Sequence, residues 1–123
     1  MSKRILVIDD EELLIKTMNK LLEKAGYEVY TVKNGEDALA IVEEEDFDLG
    51  ICDIRMPGRN GIEIVQSINS FLLSKKKKPF PVIFVTGFAD ETIEADAKKL
   101  LPVGYLFKPF DVSELLSIVK SNT

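Results

Sequence analysis

The sequence predicts an α/β fold: a parallel five-stranded sheet in the order 2-1-3-4-5, sandwiched between two layers of helices. Three observations carry this prediction. Five apolar runs of strand length alternate along the chain with five stretches of helical periodicity. Strands separated by helices pair in parallel through right-handed crossovers, which places helices on both faces. The first, third and fourth runs are apolar almost without interruption. Strands buried on both sides have that character, so these three take the middle of the sheet.

Ile5-Leu6-Val7-Ile8 is the first strand. From about Glu11 to Ala25, Leu14, Met18, Leu21, Leu22 and Ala25 recur at helical spacing, and Gly26 stops the helix. Tyr27 to Val32 forms a second strand, whose mixed polarity predicts a more exposed position. Asn34-Gly35 makes a turn, and a helix through about Glu45 directs Ala38, Leu39, Ile41 and Val42 inward. Phe47 to Cys52 is the third strand. A loop holding Met56-Pro57-Gly58 leads to a helix that starts near Gly61 and presents Ile62, Val65 and Ile68. Pro79 and Pro81 bracket the next junction, before the strand Val82-Ile83-Phe84-Val85. Asp90 caps a fourth helix that buries Ile93, Ala97, Leu100 and Leu101. Val103 to Phe107 is the fifth strand. Asp111 and Glu114 stand at capping-box spacing, with Asp in place of the usual Ser or Thr, and open a last helix through about Ser121. No linker, repeat or low-complexity stretch interrupts this (βα)5 series, so residues 1–123 are expected to form a single domain.

Composition narrows the chemistry. No apolar run approaches the roughly 18–20 residues that span a bilayer. Ser2, Lys3 and Arg4 lead into only four apolar residues before Asp9 and Asp10, which is not the form of a signal peptide. A cytoplasmic location is expected, with no membrane partner. The net charge of −5 argues against direct binding of nucleic acid. Lys75-Lys76-Lys77-Lys78 is a local exception, read either as a solvated loop or as a basic patch for an anionic partner. Cys52 is the only cysteine, so an internal disulfide and a multi-cysteine zinc site are excluded. The chain has no histidine. Ser-His-Asp and Cys-His catalysis, His-ligated metals and an internal phosphohistidine are therefore excluded as well. Any chemistry must run on carboxylates, Lys, Thr and backbone groups.

In an open parallel sheet, ligands bind beyond the carboxyl ends of the strands, where strand order reverses. Here that point lies between strands one and three. Strand one ends in Asp9-Asp10, strand three in Asp53, strand four in Thr86-Gly87, and strand five leads to Lys108-Pro109. Neighbouring strands lie about 4.8 Å apart, so three carboxylates would crowd together, an arrangement that needs protonation or a compensating cation. One lysine leaves two negative charges over, which a divalent cation neutralises. Oxygen ligands without His or Cys point to Mg²⁺, with Mn²⁺ or Ca²⁺ as substitutes. Each residue also has a plainer reading. Asp10, ahead of Glu11 and Glu12, would serve as a helix cap; Asp53 would cap a loop; Thr86 would be a β-former and Lys108 a solvated cation. Four such residues at four adjacent strand ends favour the combined site.

These residues carry a family resemblance over essentially the whole chain. Ile5-Leu6-Val7-Ile8-Asp9-Asp10, then Asp53-Ile54-Arg55-Met56-Pro57 with Gly61, then Val85-Thr86-Gly87 and Lys108-Pro109-Phe110 resemble the receiver domain of two-component response regulators, a flavodoxin-like (βα)5 fold. The resemblance implies that Asp53 is the phosphoacceptor of a phosphorelay. It implies that Asp10 coordinates Mg²⁺ directly, Asp9 directly or through water, and the backbone carbonyl of Arg55 as a further ligand. Thr86 and the Gly87 N–H would hydrogen-bond the phosphoryl group, Lys108 would pair with another of its oxygens, and the bond before Pro109 would be cis. With no histidine in the chain, the donor would be a separate histidine kinase or histidine phosphotransfer protein. The acyl phosphate would draw Thr86 toward it, and Tyr105, at the family's switch-aromatic position, would rotate inward. The surface of the fourth helix, fifth strand and fifth helix would then change its preference for a downstream protein, as a population shift rather than as an enzyme acting on a separate substrate. Arg55 and Phe88, each two residues beyond a site residue, would border the path of attacking water and slow hydrolysis of the phosphoryl group.

Two other functions use a similar layout. A haloacid dehalogenase-type phosphatase places an Asp nucleophile at a strand end with Mg²⁺, but requires a second Asp two residues on, where this chain has Arg55. A flavodoxin-like FMN carrier requires a phosphate-cradling loop after strand one, where Asp9-Asp10-Glu11-Glu12 would repel phosphate. The sequence leaves open the cognate kinase, the downstream target, a phosphorylation-dependent dimer, and whether the receiver stands alone or belongs to a larger transcription factor or hybrid kinase.

Overall fold

The computed structural model describes residues 2–56 and 58–123; Pro57, expected in the loop after the third strand, lies outside the described residues. Strands and helices alternate as β1 (Arg4–Ile8), α1 (Glu12–Lys24), β2 (Glu28–Val32), α2 (Gly35–Glu44), β3 (Leu49–Asp53), α3 (Gly61–Ser74), β4 (Val82–Thr86), α4 (Glu91–Lys98), β5 (Gly104–Phe107) and α5 (Val112–Ser121). The strands form one sheet in the order β2-β1-β3-β4-β5, and every neighbouring pair is parallel. This is the flavodoxin-like three-layer architecture read from the sequence.

Side chains alternate across each strand, and the alternation sorts the core into two layers. Leu6 and Ile8 of β1 join Val42, Ile64, Ile68 and Phe84 beneath α2 and α3. Ile5 and Val7 join Met18, Leu22, Leu115 and Val119 beneath α1 and α5. Every residue of β3 and β4 is buried, whereas β2, at the edge, is partly exposed along its length. Each large apolar side chain buried in these layers contributes about 1.5–3 kcal/mol. The central strands are therefore the rigid base from which the polar strand ends project.

Local signals set the ends of the helices, in places differently from the sequence reading. Gly26, at φ 97, ends α1 as expected. α3 opens with a capping box that the sequence reading did not anticipate: Glu63 N donates to Asn60 Oδ1 at 2.9 Å and Asn60 N to Glu63 Oε1 at 3.3 Å. The box expected at Asp111 and Glu114 does not form. Asp111 Oδ1 instead accepts from Ser113 N at 2.9 Å and from Ser113 Oγ at 2.7 Å, because Ser113 offers both an amide and a hydroxyl within reach. Leu101 is not buried by α4. The helix ends at Lys98, and Leu101, at φ 55, is 85% exposed where the chain turns toward β5. Phe47 precedes β3 and packs edge-on between Tyr30 and Phe80, with centroids 5.4 and 6.0 Å away.

Candidate functional site

Parallel register delivers the acidic residues to one place. Ile8 pairs with Cys52, so Asp9 and Asp53 follow on adjacent strands, and Asp53 in turn pairs with Val85. Oxygens of Asp9, Asp10 and Asp53 lie within 4.8 Å of one another. Asp9 and Asp53 are only 1% and 4% exposed, so most of their hydration must be replaced by protein groups. Lys108 supplies the replacement. Its Nζ donates to Asp53 Oδ2 at 3.0 Å and to Asp9 Oδ2 at 3.3 Å. Glu11 Oε2, 3.5 Å away, is a third carboxylate on the same ammonium. The sequence reading named Glu11 only as part of an acidic helix start; its contact with Lys108 needs the fold.

Backbone contacts hold the carboxylates in place. Asp9 N donates to Val32 O at 3.1 Å, and Asp9 Oδ1 accepts from Glu11 N at 2.9 Å. Asp10 does not cap α1: the N-cap is Glu11, without a side-chain bond, which leaves Asp10 exposed beside the buried pair. Asp53 Oδ1 accepts from Arg55 N at 3.2 Å. Behind Asp53, Gly61 N donates to Ile54 O at 2.7 Å. A Cβ on Gly61 would stand 2.2 Å from Asp53 O, so the start of α3 can pack here only as glycine.

Burial and charge act on the titrating groups in opposite senses. Burial pushes the Asp9 carboxyl above its ordinary range; the Glu11 amide works against this, and the charge of Asp53 adds to it. For Lys108, burial works downward, but the bond to Asp53 and the charges of Asp9 and Asp53 carry the ammonium upward overall. Lys108 is thus charged at any ordinary pH, and one ammonium faces three clustered carboxylates. The excess of negative charge and the all-oxygen donor set fit a small hard divalent cation.

The remaining predicted residues surround this cluster. Thr86 is buried at the end of β4, where its Oγ1 accepts from Phe88 N at 3.2 Å. Gly87 follows it, exposed, and Lys108 N donates to Thr86 O at 2.7 Å, so β4 positions the lysine. The Lys108–Pro109 peptide is cis. Arg55 and Phe88 meet each other, with the guanidinium 4.2 Å from the ring centroid. They line one side of a cleft of about 500 Å³ with Ile54, Met56, Asn60 and Ile93. Tyr105 does not join the cluster. It lies on the α2–α3 side of the sheet, edge-on to Phe107 at 5.4 Å, and its hydroxyl is buried without a hydrogen-bond partner among the described residues.

The model of the response regulator receiver domain matches residues 5–120. The chain belongs to this family. Among solved structures, the chemotaxis protein CheY4 of Vibrio cholerae is 28% identical, with each chain covered over 100% of its length and a TM-score of 0.88. The response regulator TrrA of Thermotoga maritima, in complex with Mg²⁺-BeF, is 36% identical over 98% of this chain and 99% of its own, with a TM-score of 0.81. A response regulator of Burkholderia pseudomallei with a phosphorylated aspartic acid and a calcium ion is 26% identical. It matches over 95% of this chain and 66% of its own, with a TM-score of 0.82. The protein is thus a receiver domain of two-component signalling, and its acidic cluster sits on the fold those relatives share.

Proposed function

We infer that this receiver is a phosphoacceptor switch in which Asp53 takes a phosphoryl group from the phosphohistidine of a separate histidine kinase or phosphotransfer protein. The observation that carries this reading is the buried Asp53 carboxylate bonded to Lys108 inside a cluster of carboxylates. In the transfer, an Asp53 oxygen forms a bond to phosphorus as the bond from phosphorus to the donor imidazole breaks, and the electron pair leaves with the imidazole nitrogen. Asp9, Asp10 and Asp53, with the Arg55 carbonyl, would hold Mg²⁺ or Mn²⁺. Bound there, the ion supplies positive charge against the transferring oxygens. Lys108 exchanges its bond to Asp53 for one to a phosphoryl oxygen. Thr86 Oγ1 and the Gly87 N–H donate to the others. The magnesium-BeF complex and the phosphorylated aspartic acid of the two relatives support this reading.

The output follows from charge and space. An acyl phosphate carries about one more negative charge than the carboxylate it replaces. Thr86 turns from Phe88 toward it, and Tyr105 is fixed inward on the space vacated. Because the Tyr105 hydroxyl is already buried here, phosphorylation acts by weighting one of two states of the α4-β5-α5 face for a downstream protein or a second receiver. Arg55 stacked on Phe88 shields one approach of water to the acyl phosphate and lengthens its life. A phosphatase reading loses its acid/base group, since Arg55 stands where that Asp would be. The test is intact mass after incubation with acetyl phosphate. A single phosphoryl adduct with Mg²⁺, and none with chelator, is expected; an equal adduct in chelator would refute the metal-dependent site.

A further inference from the structure

At the far end of the sheet from Asp53, the α3–β4 loop carries Lys75, Lys76, Lys77 and Lys78, all exposed. The loop is ordered by its own backbone. The amides of Lys75 and Lys77 donate to Leu72 O and that of Lys76 to Leu73 O, with Lys76 at φ 60 in the left-handed position that ends a helix. Beside it lies a hollow of about 310 Å³ with an apolar wall of Val42, Phe47, Leu72 and Phe80. Gly50 lets the Phe80 wall pack directly on β3, since a Cβ there would stand 2.8 Å from Phe80 Cε1. Both carboxylates on the rim are matched: Asp46 pairs with Lys77 at 3.0 Å and Glu45 with Arg4 at 2.7 Å. Lys75, Lys76 and Lys78 form no salt bridge among the described residues. In a chain of net charge −5, an unmatched positive patch therefore borders a hollow with an apolar wall and a charged rim.

We propose that residues 75–78 and this hollow form a docking surface for an acidic protein segment that inserts one large apolar side chain. The hollow, about 310 Å³, lies at the bottom of the range of small-molecule pockets, about 300–1,000 Å³, and admits one large side chain with room to spare. Carboxylates flanking that side chain would meet Lys75, Lys76 and Lys78. A nucleic acid or an anionic bilayer would find three lysines on an otherwise acidic domain and would leave the hollow empty. Docking is independent of the phosphoryl switch. Gly50 N donates to Pro81 O where β3 and β4 begin, and Asp53 lies three residues further along β3, about 10 Å away. The surface anchors the receiver to its partner whatever the state of Asp53, and failure of the Asp53 chemistry would leave it standing.

The experiment is fluorescence anisotropy with a labelled Glu/Asp-rich peptide carrying one Leu. Control peptides replace Leu by Ser, or the acids by their amides. Wild type is expected to bind the first peptide and to lose about tenfold or more with either control. The same loss is expected in Lys75→Glu/Lys76→Glu/Lys78→Glu, whereas Asp53→Asn binds as wild type does. If the Glu variant unfolds early, Lys75→Gln/Lys76→Gln/Lys78→Gln is read instead. The proposal is overturned by no binding at about 1 mM peptide, by undiminished binding in the lysine variants, or by indifference to Leu→Ser. Equally tight lysine-dependent binding to phosphatidylglycerol vesicles or oligothymidylate, or lysine-dependent self-association, would overturn it as well.

Discussion

Gly61→Ala tests how closely Asp53, the proposed phosphoacceptor, is held by its surroundings. In the first turn of an exposed helix, this exchange would raise stability by about 0.5–1 kcal/mol, because alanine loses less backbone entropy on folding. Here the added Cβ falls 2.2 Å from Asp53 O and 2.9 Å from both Asp53 C and Cys52 Sγ. Relief to ordinary van der Waals contact needs about 1 Å of movement. The helix cannot retreat freely, since Gly61 N donates to Ile54 O at 2.7 Å. Overpacking of this kind costs about 1–3 kcal/mol, which outweighs the entropic gain and lowers Tm by several degrees in a domain of this size. Moving Asp53 by about 1 Å also costs on the order of a hundredfold in transfer rate. Thermal unfolding by circular dichroism and the rate of labelling by acetyl phosphate read the two effects. An unchanged or raised Tm with an unchanged labelling rate would refute the argument.

Two further outcomes follow from the site. Arg55→Ala/Phe88→Ala removes the 4.2 Å stack beside the site and should shorten the half-life of the phosphoryl group severalfold; an equal or longer half-life in the variant counts against shielding. The raised Asp9 carboxyl predicts a pH response in metal-free protein. The folded state binds this proton more tightly than the unfolded chain, so the contribution of Asp9 to stability is fully present below the ordinary Asp range and is lost as pH rises through the raised folded pKa. Asp9→Asn should flatten that slope and Mg²⁺ should oppose it, both measurable by urea unfolding across that window. A slope unchanged in Asp9→Asn would assign it to another group.

The strand order was legible because burial on both faces leaves an unmistakable mark in β1, β3 and β4, and a mixed one in β2. The cluster was legible because a parallel sheet brings its strand ends together, so Asp9, Asp53 and Lys108 could be placed side by side without coordinates. Contacts between loops were not. Arg55 and Phe88 were each singled out, but nothing in one-dimensional spacing says that the guanidinium stacks on the ring. Leu101 was misplaced because apolar periodicity runs one step beyond the point where the backbone leaves α4. Gly61 was seen as part of a signature; its physical reason, the approach of a helix to the Asp53 carbonyl, needs the fold.

The most direct measurement is the intact mass of wild type and Asp53→Asn after incubation with acetyl phosphate and Mg²⁺. Asparagine keeps the shape but removes the nucleophilic charge next to Lys108, 3.0 Å from Asp53 Oδ2 in the wild type. Wild type is predicted to gain one phosphoryl group, and Asp53→Asn to gain none while remaining folded. An undiminished adduct in folded Asp53→Asn would place the acceptor elsewhere and contradict the account.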